Sequence, residues 1–137
     1  MRVVLDTSIL VSATFWRGNP YRCLQAVEGG LCELVTSEPI LAELRDKLVS
    51  KFKLPGEEAE AIVGRLRVLA HVVPLQGRGG WVHADPNDDP IVETAIVGGA
   101  SVIVSGDHHL LDLESVEGVS IVTARRFVED LNPGGKP

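Results

Sequence analysis

The chain opens on Met1-Arg2-Val3-Val4-Leu5-Asp6-Thr7-Ser8, a short apolar run that stops at a carboxylate and two hydroxyls. Val3, Val4 and Leu5 do not alternate with polar residues, which predicts a central parallel strand covered on both faces. In open parallel sheets, ligands bind just beyond the carboxyl ends of the strands, and Asp6 stands there. What the rest of the chain brings to that edge decides what the protein can do.

Further strands are predicted at Cys32–Thr36, His71–Leu75, Ser101–Val104 and Val119–Val122, separated by helical patterns. After Asp6, Thr7 and Ser8 are read as caps of a short helix through Ile9, Leu10, Val11 and Ala13. Phe15 to Pro20 reads as a loop and Tyr21–Glu28 as a helix stopped by Gly29-Gly30. Ser37-Glu38-Pro39 starts the next helix, with Ile40, Leu41, Leu44, Leu48 and Val49 on one face. Pro55-Gly56 breaks the chain, and Glu57–Ala70 restarts as a helix. A flexible loop over Gln76–Gly80 follows the third strand. Helices over Ile91–Val97 and Ala124–Leu131 complete the pattern. Strands alternating with helices predict an α/β three-layer sandwich around a mostly parallel sheet of four or five strands. Residues 1–131 read as one domain and 132–137 as a frayed tail.

Composition narrows the class. A length of 137 residues suits one domain with a core, and 45% hydrophobic with 23% charged residues is ordinary for a globular protein. No apolar run approaches the ~18 residues of a membrane helix, and the N-terminus lacks a signal-type segment. Cys23 and Cys32 form no C-x-x-C and predict free thiols in a reducing cytoplasm. The formal net charge of −6 counts against ordinary phosphate binding through Lys and Arg. Solubility is the plain reading of that charge, and acids concentrated around a divalent cation the sharper one.

Four places bring acids to the same edge: Asp6 after the first strand, Glu43 inside the helix after the second, Asp88-Asp89 at a helix start, and Asp107 just past the fourth strand. Taken singly, Asp6, Asp88 and Asp107 read as turn or cap residues, and Glu43 as a solvated helix carboxylate. Together they cannot all stay ionised without a neutralising cation. Hard Mg²⁺ or Mn²⁺ suits an all-carboxylate site, and such ions activate water for phosphodiester hydrolysis. His108 and His109 are adjacent, diverge on a helix and read as surface groups. Trp16 and Trp81 sit in loops and read first as packing or subunit contacts and second as base-stacking faces, and Arg17, Arg78, Arg125 and Arg126 are candidate phosphate contacts.

The motifs Val-Val-Leu-Asp-Thr-Ser-Ile-Leu (3–10), Ser-Glu-Pro-Ile-Leu-Ala-Glu-Leu (37–44), Asp-Pro-Asn-Asp-Asp-Pro-Ile-Val-Glu-Thr-Ala (85–95) and Val-Ile-Val-Ser-Gly-Asp-His-His-Leu-Leu (102–111) resemble, almost end to end, the PIN-domain family and its VapC-like toxin branch. The resemblance implies a PIN-like fold and a Mg²⁺- or Mn²⁺-dependent endoribonuclease held in check by an antitoxin. It implies Asp6, Glu43, Asp88 and Asp107 as catalytic and metal-binding acids, with Asp89 as second choice to Asp88. Ser8 and Ser105 match small polar residues that orient the acids; Asp85 reads as a turn residue only. A haloacid-dehalogenase-like phosphatase is the competing enzyme, but its second Asp would fall at Ser8. A catalytically inactive PIN-like RNA- or protein-binding module is the third reading. The apolar faces at 40–49 and 57–69 exceed what a small sheet covers, which points to a homodimer.

Overall fold

The structure, a computed structural model, describes residues 1–132. The expected tail over 133–137 lies outside the described residues. The chain folds through β1 (Arg2–Leu5), α1 (Thr7–Phe15), α2 (Asn19–Glu28), β2 (Glu33–Thr36), α3 (Glu38–Ser50), α4 (Gly56–Leu69), β3 (His71–Val72), a 3-10 turn (Pro86–Asp88), α5 (Asp89–Gly98), β4 (Val102–Val104), α6 (His108–Leu111), β5 (Ser115–Val116), β6 (Val119–Val122) and α7 (Ala124–Leu131).

The strands make one sheet in the order β3-β2-β1-β4-β6-β5, parallel except for the β5–β6 hairpin. Six strands replace the expected four or five, because two-residue β5 leaves no periodicity to read and forms only by pairing Ser115 with Ser120 and Val116 with Val119. β3 keeps only His71–Val72 of its expected five residues. Helix starts also run earlier than expected, at Asn19 and Asp89, each with Pro in the first turn.

β1 is central, as its uniform apolarity requires. Val3, Val4 and Leu5 are fully buried and pair with Val102, Ile103 and Val104 of β4, while Arg2 and Val3 pair with Glu33 and Leu34 of β2. Successive connections step from β1 toward β3 on one side, then from β4 toward β6 on the other. The direction therefore reverses between β1 and β4, and ligands of open parallel sheets bind at such a reversal.

Helices α1 to α4, with α7 against α2, form one connected layer, and α5 lies across β2, β1 and β4. No described helix is long and apolar enough to cross a membrane. Cys23 and Cys32 are free and buried, and burial pushes the Cys23 thiol up to about 12. The α5–β2 contact is close at one point: a Cβ on Gly98 would sit 2.2 Å from Val35 Cγ1. Gly98→Ala is therefore expected to destabilise the fold by about 1–3 kcal/mol, read from the urea midpoint.

Candidate active site

Asp6 follows β1 and is the N-cap of α1, one of the roles the sequence offered it, while Thr7 and Ser8, also read as caps, lie inside the helix. Its Oδ1 accepts from the Ile9 amide at 2.9 Å and the Ser8 hydroxyl at 2.8 Å, and its Oδ2 accepts from the Ser105 hydroxyl. Asp6 is only 4% exposed. Burial holds its carboxyl above the ordinary range; Ser105, Ile9 and Ser8 pull it back, and Asp107 raises it further.

Asp107 caps α6 by accepting from the His109 amide at 2.9 Å, and its own amide donates to Ser105 Oγ at 2.9 Å. Ser105 thus ties Asp6 and Asp107 together across the β1–β4 reversal, where the Asp6 amide also donates to the Val104 carbonyl. The cap reading and the site reading of these two acids are therefore one geometry. A cap fixes the carboxylate that a site needs fixed.

Asp88 arrives from the 3-10 turn, which Asp85 caps by accepting from the Asn87 amide at 3.1 Å. Carboxylate oxygens of Asp85, Asp88 and Asp107 lie within 4.8 Å of one another. Asp85, read from the sequence as a turn residue alone, joins the group because its own turn folds back on Asp88. Burial raises the Asp88 carboxyl to about 7, with Asp107, Asp85 and Asp6 adding to the rise. Asp107 titrates below the ordinary range: burial works against this, but the His109 amide, Asp88 and the two imidazoles outweigh it. Below about pH 7 a proton shared by this pair therefore favours Asp88 over Asp107.

The PIN domain family profile matches residues 2–109. The chain belongs to the PIN domain family. Two solved structures share the fold of this PIN domain. One is the VapBC2 complex from Rickettsia felis bound to a DNA fragment from its promoter, with a TM-score of 0.60 and 17% identity, covering 88% of this chain and 97% of that one. The other is the RRP44 PIN domain of T. brucei, with a TM-score of 0.51 and 15% identity, covering 97% and 82% respectively. Comparison with curated protein sequences gives no match.

The donor set of this PIN domain fits a hard divalent cation. Among the described residues, the buried side-chain oxygens without a hydrogen-bond partner are Thr7 Oγ1, Thr36 Oγ1 and Asp88 Oδ2. Thr7 follows β1, Thr36 ends β2 and Asp88 precedes α5, so all three fall at the carboxyl end of the sheet. An unpartnered carboxylate oxygen beside two further carboxylates is the arrangement an oxygen-seeking ion satisfies.

Glu43 is exposed on the second turn of α3 and stands outside this gathered group. The start of α3 is tied to α5 by a buried hydrogen bond between the Ser37 and Thr94 hydroxyls at 2.8 Å. His108 and His109 do not diverge as expected: their ring centroids are 4.1 Å apart, and a nitrogen of each lies within 4.8 Å of an Asp107 oxygen. The single turn of α6 is too short to impose the spread of a regular helix.

Asp89 has a different task from Asp88. Its carboxylate accepts from the amides of Gly80, Trp81 and Val82 at 2.9–3.1 Å. One turn on, Glu93 accepts from the amides of Gln76, Gly77 and Arg78 at 2.7–3.2 Å and is 1% exposed. Two buried carboxylates at i and i+4 of α5 thus hold the loop that was expected to be flexible. Gly79 is required there, since a Cβ would lie 2.8 Å from Asp89 Oδ2. The sequence did carry the signal for Glu93: an acid four residues after Asp89, inside an otherwise apolar helix, downstream of a glycine-rich run rich in free amides.

Proposed function

We propose that this PIN domain is a Mg²⁺- or Mn²⁺-dependent endoribonuclease, with Asp6, Asp88 and Asp107 as the inner acids, Asp85 beside them, and Glu43 as a further acid from α3. The observation that carries the reading is the convergence of Asp85, Asp88 and Asp107 at the β1–β4 reversal, with Asp6 tied to Asp107 through Ser105 and Asp88 Oδ2 unpartnered. Membership of the PIN family supports nuclease chemistry over the phosphatase alternative.

Ser105 and Ser8 orient Asp6, and the clamped loop fixes the start of α5 directly behind Asp88. Without a cation, the Asp88 proton relieves its repulsion with Asp107; binding must displace that proton, so affinity should rise with pH. A bound divalent cation supplies water activation and stabilises the developing charge on the phosphate. It also provides the positive potential that a chain of net charge −6 lacks.

Incubating the protein with cellular RNA and Mn²⁺ tests the proposal. Cleavage at defined positions is expected, and Asp6→Asn should slow it by about 10²–10³-fold. Cleavage that survives Asp6→Asn or needs no divalent ion would defeat the reading. RNA binding without cutting would favour the inactive module, and hydrolysis of p-nitrophenyl phosphate the phosphatase.

The toxin role and an antitoxin partner are proposed from the likeness to the VapBC2 complex. A groove of about 1060 Å³ between α1–α2 and α4, with Val68 89% exposed on its rim, supports a protein partner there. The homodimer expected from the apolar helix faces is read by light scattering.

A further inference from the structure

α1 begins at Asp6 and ends at Trp16, its C-cap. Ten residues of helical rise put the two ends about 15 Å apart. The far end carries chemistry unlike the rest of this acidic chain. Trp16 is 57% exposed, with its ring 5.7 Å from Phe15 and 6.3 Å from Phe52, and Phe15 and Phe52 stack at 4.7 Å. Lys51 Nζ lies 5.7 Å from the Phe52 ring, and the Arg17 guanidinium sits 4.5 Å over Tyr21.

The distribution of cations sets this end apart. Arg2, Arg45, Arg65, Arg67, Arg125 and Arg126 each sit within 4.0 Å of a carboxylate. Arg125 and Arg126, candidate phosphate contacts in the sequence, are thereby engaged with Glu129 and Asp130. Among the described residues, Arg17, Arg22, Lys47, Lys51, Lys53 and Arg78 have no such partner; Arg78 packs against Trp81, and the other five lie on or next to the segments that build the aromatic cluster. The acids nearest in sequence to Lys47 and Arg22 on α3 and α2, Asp46 and Glu28, are taken by Arg45 and Arg65. The other tryptophan differs: Trp81 carries Arg78 against its ring at 5.4 Å and donates to Glu117 at 2.5 Å.

Lys53 adds a detail. It occupies the left-handed region at φ 60, just past the end of α3, where the Leu54 amide donates to the Leu48 carbonyl. Glycine is the favoured residue at that position. A lysine there follows Phe52 in the chain against the backbone's preference.

We propose that this patch is a second binding site for single-stranded RNA, gripping the substrate strand several nucleotides from the bond held at the acids. An exposed indole beside unpaired cations is the combination that holds single strands without reading sequence. At ~3.4 Å per stacked nucleotide the 15 Å gap spans about four to five nucleotides, so short substrates reach one site only. The proposal rests on the nuclease reading for its substrate, while its test does not depend on cutting.

Fluorescence anisotropy of the full chain in EDTA, with a labelled 12-nucleotide and a labelled 3-nucleotide single-stranded RNA, provides that test. Trp16→Ala is expected to raise the Kd for the 12-mer about 5- to 10-fold and to weaken the 3-mer as well, since without a cation the acids do not hold phosphate and the patch is the site left to it. Lys53→Gly, which relieves the left-handed position and should fold at least as well, is expected to weaken the 12-mer about 2- to 3-fold. It should also reduce the salt slope by about 0.7. Unchanged 12-mer affinity in both variants would overturn the proposal and leave the patch to a protein partner. A protein that cuts no RNA but shows the Trp16 dependence would lose the nuclease reading and keep the patch. Normal cutting with no Trp16 or Lys53 effect would do the reverse.

Discussion

Replacing Asp88 by Asn should make the cation-free protein more stable at pH 7.5 while lowering RNA cleavage by about 10²-fold or more. The stability half follows from the proton on Asp88. Its folded carboxyl titrates at about 7 because burial and the neighbouring Asp107, Asp85 and Asp6 disfavour its charge, whereas an unfolded Asp titrates near 4. Between those values the folded state keeps a proton that the unfolded state has released. Stability from this group therefore falls as pH rises from about 4 to 7, and the penalty is complete above 7. Asparagine carries no charge and escapes it. Asp6, also raised, gives the same sign and remains in the variant, so the slope should flatten rather than vanish. Asp107, held low, contributes stability that is lost only at the acid end as pH falls through its folded value. Urea midpoints from pH 4.5 to 8, with and without Mn²⁺, check all of this. Mn²⁺ should stabilise the native protein more at pH 8 than at pH 6, by mass action on the deprotonated site, and stabilise the variant much less. An Asp88→Asn protein less stable than the native one at pH 7.5 without cation would mean that the carboxylate holds the fold together.

The second large effect concerns Glu93. Removing its carboxylate with Glu93→Ala strips the amides of Gln76, Gly77 and Arg78 of their acceptor and leaves space in a fully buried position. An unpartnered buried donor costs about 1–3 kcal/mol. Because residues 76–80 are exposed, water recovers part of that, and a net loss of about 2–4 kcal/mol is expected, a large share of ordinary domain stability. Glu93→Gln keeps the volume but presents an NH₂ group to at least one donor, so it should recover only part of the loss. Hydrogen exchange should show the amides of 76–78 opening in Glu93→Ala while 80–82, held by Asp89, stay protected longer. A fold as stable as the native one, with 76–78 still protected, would show that the clamp contributes nothing.

Much of the fold was legible because burial writes itself into local pattern. An unbroken apolar run at 3–5 announces a strand covered on both faces, and Ser37-Glu38-Pro39 or Gly98-Gly99 announce helix ends through backbone chemistry that needs no tertiary partner. β5 was not legible, since two residues have no period and exist as a strand only through β6. The same division runs through the site. Asp6 and Asp107 could be placed at one edge because each follows a recognisable strand. Asp85 could not, because its membership depends on how one 3-10 turn folds back. Nor could the separate tasks of Asp88 and Asp89: neighbours in sequence, they face an acid cluster and a loop of amides respectively.

The sequence by itself determined a parallel sheet with acids at its carboxyl end, since strand periodicity and the residue that ends each strand are local facts. Only the tertiary structure decided which carboxylates meet, which is buried beside another's charge, and which spends its oxygens on backbone amides. Those outcomes depend on distances of a few ångströms between segments up to a hundred residues apart, set by strand order and helix packing. No local pattern encodes them.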